Sequence, residues 1–237
     1  MRIFELSPRL QSVADLVPQG ARLADVGTDH AYLPVWLILN GTVHRAVASD
    51  LREGPLENAR QTAQRYGVSD RLSFRLCDGL TGLEPDEADT IAIAGMGGET
   101  IADILSAAPW TAKGEHRLLL QPMTAHPELR VWLDGHGFQI EREILSCEDK
   151  MLYSTLLVRV GNSVRLTPAE AWAGRQEKGM VAPLRGQYLD KLLRRAEKAL
   201  AGVRRSTKSE DAHRREVLEE VTTGLKKMKE EWDIWQQ

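Results

Sequence analysis

Through the first 160 residues, short β-branched or apolar runs alternate with longer stretches in which apolar positions recur every three or four. That is the pattern of a parallel sheet covered by helices on both faces, an α/β fold. Strands are expected at 22–26, 45–49, 72–76, 90–94 and 117–121. Helices are expected between them at 33–39, stopped by Asn40-Gly41, at 55–66, stopped by Gly67, and at 99–106. A helix near 127–136 then precedes two more runs, 139–144 and 151–160, which read as a terminal pair of strands.

From Leu166 onward the period is purely helical. Thr167-Pro168-Ala169-Glu170 combines a hydroxyl cap, a proline in the first turn and a carboxylate three residues after the cap. Leu189, Leu192, Ala196, Ala199 and Val203 recur at alternating spacings of three and four. So do Leu218, Val221, Leu225, Met228, Trp232 and Trp235. Two long helices joined near 206–211 are therefore expected to pack as an antiparallel, coiled-coil-like hairpin. The expected domains are 1–163, carrying the sheet, and 164–237, the α-helical hairpin.

Composition narrows the class. At 237 residues the chain holds one α/β domain and an appendage, and its 42% hydrophobic and 27% charged content is that of a globular protein. The longest apolar run, 32–39, is too short for a membrane span, and 1–18 lacks the apolar stretch of a signal peptide. A cytoplasmic monomer without a membrane partner is expected. Cys77 and Cys147 show no metal-ligand spacing, so no metal is expected either. The net charge of −3 is unevenly spread: 164–237 carries 16 basic and 12 acidic residues, against 15 and 22 in 1–163.

The candidate chemistry lies where strands end. The segment Ala24-Asp25-Val26-Gly27-Thr28-Asp29-His30-Ala31-Tyr32-Leu33-Pro34 joins the first strand to a helix, at the edge where α/β sheets dock cofactors. A dinucleotide fold would place more glycines here to bring amides to a pyrophosphate, but Asp29 and Ala31 occupy comparable places. An acidic turn suits a zwitterionic, cationic cofactor better: Asp25 can accept from the ammonium group of S-adenosylmethionine. Asp50, ending the second strand, is placed to take both ribose hydroxyls, and Asp78-Gly79, ending the third, to meet the adenine. The fourth strand runs into Ala94-Gly95-Met96-Gly97-Gly98, a glycine-rich turn with room for a flat acceptor base beside the methyl donor.

In order along nearly the whole chain, these segments resemble the bacterial tRNA (adenine-22, N1) methyltransferase family, a class I S-adenosylmethionine-dependent group. The carriers are the Ala24 to Pro34 stretch, Glu53-Gly54-Pro55-Leu56, Asp78-Gly79-Leu80, Ile93 to Gly98, Leu120-Gln121-Pro122, Leu129-Arg130-x-Trp132-Leu133, and Leu6 to Leu10 with the helix after it. Asp50 stands where the family pattern has glutamate, and Met123 where asparagine is frequent. The resemblance implies a Rossmann-like catalytic domain followed by a helical hairpin that helps hold tRNA. It implies a cofactor site of Asp25, Gly27, Thr28, Asp50, Leu51, Asp78, Gly79, Ala94, Gly95 and Met96, with Gly97 and Gln121 on the acceptor side.

Adenine N1 has an in-plane lone pair and no proton, so it needs alignment and a negative group beside the base more than a strong base. Asp29 is the candidate for that group and His30 its orienting partner. Tyr32 either stacks on the base or packs against the cofactor. On the hairpin, Arg194-Arg195 and Arg204-Arg205 are candidates for phosphate contacts, against the plainer reading of a solvated helix face. A small-molecule methyltransferase and a non-catalytic cofactor- or RNA-binding module remain alternatives. Adenine N6 chemistry is disfavoured, because the Asn/Asp-Pro-Pro-aromatic signature it uses is replaced by Gly95-Met96-Gly97-Gly98.

Overall fold

The computed structural model describes residues 3–162, 164–205 and 211–236. The chain divides into one unit of Met1–Ala125 with Trp132–Ser163 and a second of His126–Val131 with Val164–Gln237.

The first unit is the expected Rossmann-like α/β sheet. Its strands are β1 (Leu23–Val26), β2 (Ala46–Asp50), β3 (Leu72–Leu76), β4 (Thr90–Gly97), β5 (Arg117–Thr124), β6 (Phe138–Glu148) and β7 (Met151–Val160). They lie in the order β3-β2-β1-β4-β5-β7-β6, parallel from β3 to β5, with β7 antiparallel to both its neighbours. The chain winds outward from β1 to β3, then returns to start β4 on the other side of β1. Helices α1 (Pro8–Ala14), α2 (Tyr32–Leu39), α3 (Glu53–Tyr66) and α4 (Gly98–Ala107) belong to this unit.

Strand alternation explains the two covered faces. Ala92 of β4 and Leu119 of β5 join one apolar cluster with Val13 of α1, Leu37 of α2 and Ala59 of α3. Their sequence neighbours Ile91, Ile93, Leu118 and Leu120, all fully buried, point to the opposite face. A strand buried on both faces reads as a continuous apolar run, which is why these two were easy to locate.

Two expectations need correction. The fourth strand does not end at Ala94 but runs to Gly97, with register shifts against β5 between Ala94 and Met96 and between Met96 and Gly97. The glycine-rich segment is thus a bulged strand end leading directly into α4. Gly98 lets this junction close, since a Cβ there would strike the Ala125 carbonyl. Gly98→Ala is expected to cost about 2 kcal/mol through overpacking, as read from chemical denaturation.

The second correction concerns the helix begun by Thr167. The capping box forms, Thr167 Oγ1 accepting from Glu170 N at 3.2 Å and Glu170 Oε2 accepting from Thr167 N at 2.8 Å. Yet α6 (Pro168–Ala173) stops at Gly174, whose φ of 73° no helical residue shares. α7 (Arg185–Arg204) and α8 (Asp211–Trp235) then form the hairpin, burying Leu200 and Val203 against Leu218. The expected junction at 206–211 lies outside the described residues except for Asp211.

Two buried arginines complete the second unit. Arg130 Nη1 donates to the Ala171 and Trp172 carbonyls at 3.0 and 3.1 Å, while Arg185 Nη2 donates to the Gly174 carbonyl at 2.9 Å and its Nη1 to the Ala173 carbonyl. These are carbonyls that the end of a helix leaves unpaired. Arg130 lies on α5 (His126–Gly135), whose residues 126–131 group with the second unit although the sequence pattern keeps them with the sheet.

Candidate active site

The carboxyl ends of the parallel strands form a cleft of ≈ 450 Å³. Its shape begins with backbone chemistry. Gly27 and Thr28 N–H groups both donate to the Ser49 carbonyl, at 2.8 and 2.9 Å, pinning the turn after β1 to β2. Gly27 takes φ +76°, and a Cβ on it would collide with the Met96 side chain. Cys77 N donates to the Asp50 carbonyl at 3.0 Å, which holds the end of β3 beside the end of β2.

Of the expected cofactor residues, Gly27, Asp50, Leu51, Asp78, Gly79 and Met96 line the cleft together. Asp50 accepts from the Arg52 N–H at 2.8 Å through Oδ1, leaving its carboxylate fixed at the strand tip. Leu51, 64% exposed, presents an apolar surface at the mouth. Asp25 and Thr28 are almost wholly buried and are not part of the lining; Ala94 and Gly95 also stand off it. Burial pushes the Asp25 carboxyl up from 3.8 to about 6; the Thr28 hydroxyl pulls it down and the Asp50 carboxylate raises it further. Such a group is short of a cation.

Sequence reasoning missed Ser49, Thr100, Asp103 and Ile104 in the same cleft. Thr100, Asp103 and Ile104 share one face of α4, a spacing that by itself says only that the helix has two faces. Among the described residues the Ser49 hydroxyl is buried without a hydrogen-bond partner, on a cleft wall that a polar ligand could meet.

Asp29, His30 and Tyr32 form a second group at the start of α2. His30 Nε2 lies 3.5 Å from Asp29 Oδ2, and the His30 and Tyr32 rings stack with centroids 5.3 Å apart. Ala31 between them takes φ +53°, a left-handed conformation that costs an alanine about 1 kcal/mol. That kink lets adjacent rings lie on one side of the chain. Phe4 meets Tyr32 edge-on at 5.5 Å, leaving the tyrosine 43% exposed.

On the acceptor side Gly97 is the N-cap of α4, with ordinary φ of −65°. Gln121 is fully buried: its Oε1 accepts from Arg9 Nη1 and Gly95 N, and its Nε2 donates to the Pro122 carbonyl. In the second unit, Arg194, Arg195 and Arg204 are exposed on α7 and Arg205 is exposed at its C-cap. Arg195 lies over the Trp172 ring at 5.5 Å, and Arg204 Nη2 pairs with Glu219 at 2.8 Å. A groove of ≈ 790 Å³ along the hairpin is lined by Arg204, Arg205 and Lys226 together with Glu197 and Glu219, which pair with Lys226 and Arg204. Among the described residues no three His, Cys, Asp or Glu side chains gather as a metal site, and no helix is long and apolar enough to cross a membrane.

This doubly wound sheet with its acidic cleft is a methyltransferase domain: residues 6–156 match the family model of that description. The tRNA (adenine(22)-N(1))-methyltransferase of Bacillus subtilis is 39% identical over 162 residues, 68% of each chain. A crystal structure of the B. subtilis m1A22 tRNA methyltransferase superposes with a TM-score of 0.80 at 31% identity, covering 92% of this chain and 99% of that one. A Streptococcus pneumoniae protein, assigned as a tRNA (m1A22) methyltransferase and solved with S-adenosyl-L-methionine, gives a TM-score of 0.81 at 34% identity, covering 95% and 100%. This chain belongs to the tRNA (adenine-22, N1) methyltransferase family.

Proposed function

We propose that this protein transfers a methyl group from S-adenosylmethionine to N1 of adenine 22 in tRNA. The observation that carries the reading is that the strand-tip residues Gly27, Asp50 and Asp78 line one cleft, with the Asp25 carboxyl buried near the end of β1. The donor set fits the cofactor. Asp50 would meet the ribose diol and Asp78 the adenine amino group, with Leu51 and Ile104 offering apolar contact to the ring; Asp25, buried outside the lining, would be the acceptor for the ammonium. Bound there, the cofactor supplies an electrophilic methyl on a sulfonium.

The remaining work belongs to the chain. Gly95 and Gly97 leave little bulk at the strand end where an acceptor base would approach, on either side of Met96. The stacked His30–Tyr32 pair offers that base a flat platform, and Asp29 a negative charge as the ring becomes cationic. N1 is on the Watson–Crick edge, so a paired adenine must be exposed before it reacts, and flanking RNA must be gripped. The exposed arginines of α7 supply that grip. The reading takes a monomer in the cytoplasm as the working unit. It requires no metal, since attack by a free lone pair on a sulfonium methyl needs no Lewis acid.

Incubation with labelled cofactor and unmodified tRNA should yield 1-methyladenosine at position 22 alone, identified by nucleoside mass and fragment mapping. Label elsewhere, or transfer without RNA, would overturn the assignment. Asp29→Ala is expected to slow single-turnover transfer by roughly 10²-fold with unchanged cofactor affinity. An unaltered rate would remove Asp29 from the chemistry.

A further inference from the structure

The β4 bulge leaves the Gly95 N–H in need of an acceptor. Register slips between Ala94 and Met96, so the strand ladder skips this group. The Gln121 side chain takes the place of the missing carbonyl, Oε1 accepting from Gly95 N at 3.1 Å. That same oxygen accepts from Arg9 Nη1 at 2.9 Å. Gln121 has no freedom left, because Nε2 is engaged by the Pro122 carbonyl at 2.9 Å and Met123 Sδ at 3.6 Å.

Arg9 is itself braced from three sides. Ser7 caps α1, its hydroxyl accepting from Leu10 N at 3.5 Å, which sets the first turn in which Arg9 sits. The Arg9 N–H donates to Glu148 Oε2 at 3.3 Å, and the guanidinium lies 6.0 Å from the centre of the Tyr153 ring. A Cβ built on Gly95 would come within 3.4 Å of Arg9 Nη1, so the cation lies directly against the turn. Gly95, at φ +78°, leads into Met96, whose side chain covers Gly27. One contiguous path therefore runs from α1 through Gln121 and Gly95 to the floor of the cofactor cleft.

We propose that Arg9 is a positioning residue for methyl transfer, which acts through Gln121 to hold the Gly95-Met96 turn where donor and acceptor meet. The proposal rests on the methyl-transfer reading above. An in-line displacement is sensitive to placement, and a shift of about 1 Å can cost 10²-fold in rate. A charged donor on Gln121 strengthens that shared acceptor site, and the planar guanidinium suits both the amide oxygen and the Tyr153 face.

The test is single-turnover transfer to tRNA, with cofactor and tRNA both saturating, for Arg9→Leu, Arg9→Lys, Gln121→Leu and the Arg9→Leu/Gln121→Leu double variant. Each leucine variant is expected to lose about 10²-fold in rate, and the double variant no more than either alone, as for residues acting in one unit. Arg9→Lys keeps the charge and the helix, and is expected to lose rate too, with cofactor affinity and melting temperature close to wild type. Additive losses, a raised KM for tRNA at unchanged rate, or a fully active Arg9→Lys would overturn the proposal. Should the wild type itself transfer no methyl group to tRNA, the underlying reading falls and this one with it; an active wild type with unaffected variants sinks this one alone.

Discussion

Asp25→Asn is expected to weaken S-adenosylmethionine binding by roughly 10²- to 10³-fold, the loss found when one partner of a buried charge pair is truncated. The same variant is expected to make the free protein more stable. The folded-state carboxyl titrates at about 6 rather than 3.8, so the folded chain holds its proton more tightly than the unfolded chain. Its stability contribution is therefore greatest below 3.8 and is lost as pH rises to about 6. Above that, the ionised group opposes folding by about 3 kcal/mol, a burden the amide lacks. A melting temperature several degrees higher at pH 7.5, together with lost cofactor binding in calorimetry, is the expected pair of results.

A pH signature accompanies it. An ammonium beside Asp25 pulls its pKa back down, so binding near pH 6 should release a proton, and affinity should fall as pH drops through that value. The proton count is read from binding heats in buffers of different ionisation enthalpy. Asp25→Asn should show no such release. Wild-type affinity that stays level from pH 7.5 to about 5 would take the ammonium away from Asp25.

The second large effect concerns the hairpin. Replacing Arg194, Arg195, Arg204 and Arg205 by alanine is expected to lower tRNA affinity by roughly 10²-fold or more at moderate salt. The slope of log affinity against log salt should become shallower by about one for each arginine–phosphate pair removed. Cofactor binding should not change. Arg204 and Arg195 already have partners in Glu219 and Trp172, so their single variants should matter less than Arg205→Ala. Charge removal is a cleaner test than cutting the chain at Val164, which would strip the buried Arg130 of its acceptors at Ala171 and Trp172. A quadruple variant with the wild-type salt slope would move the RNA-binding surface elsewhere.

Much of the site was legible before any fold was known, because strand-end positions in an α/β sheet share one edge. Asp50, Asp78 and Gly27 could be placed together from strand spacing alone, and they do line one cleft. Gln121 illustrates the limit. The family resemblance put it on the acceptor side, yet it is fully buried and saturated by Arg9, Gly95 and its own neighbours. No periodicity could pair it with Arg9, since the two lie 112 residues apart. Thr100 and Asp103 were invisible for a related reason: amphipathic spacing identifies a helix face but not what that face meets.

Hydrophobic periodicity and turn residues, both local, determined the succession of strands and helices, the acidic strand tips and the basic tail. Only the tertiary structure decided that β4 bulges at Gly95, that the helix from Thr167 stops at Gly174, and that Arg130 and Arg185 satisfy the carbonyls at its end. Those outcomes depend on unpaired backbone groups finding partners from distant segments, and a polar group's need for a partner does not say which residue will meet it.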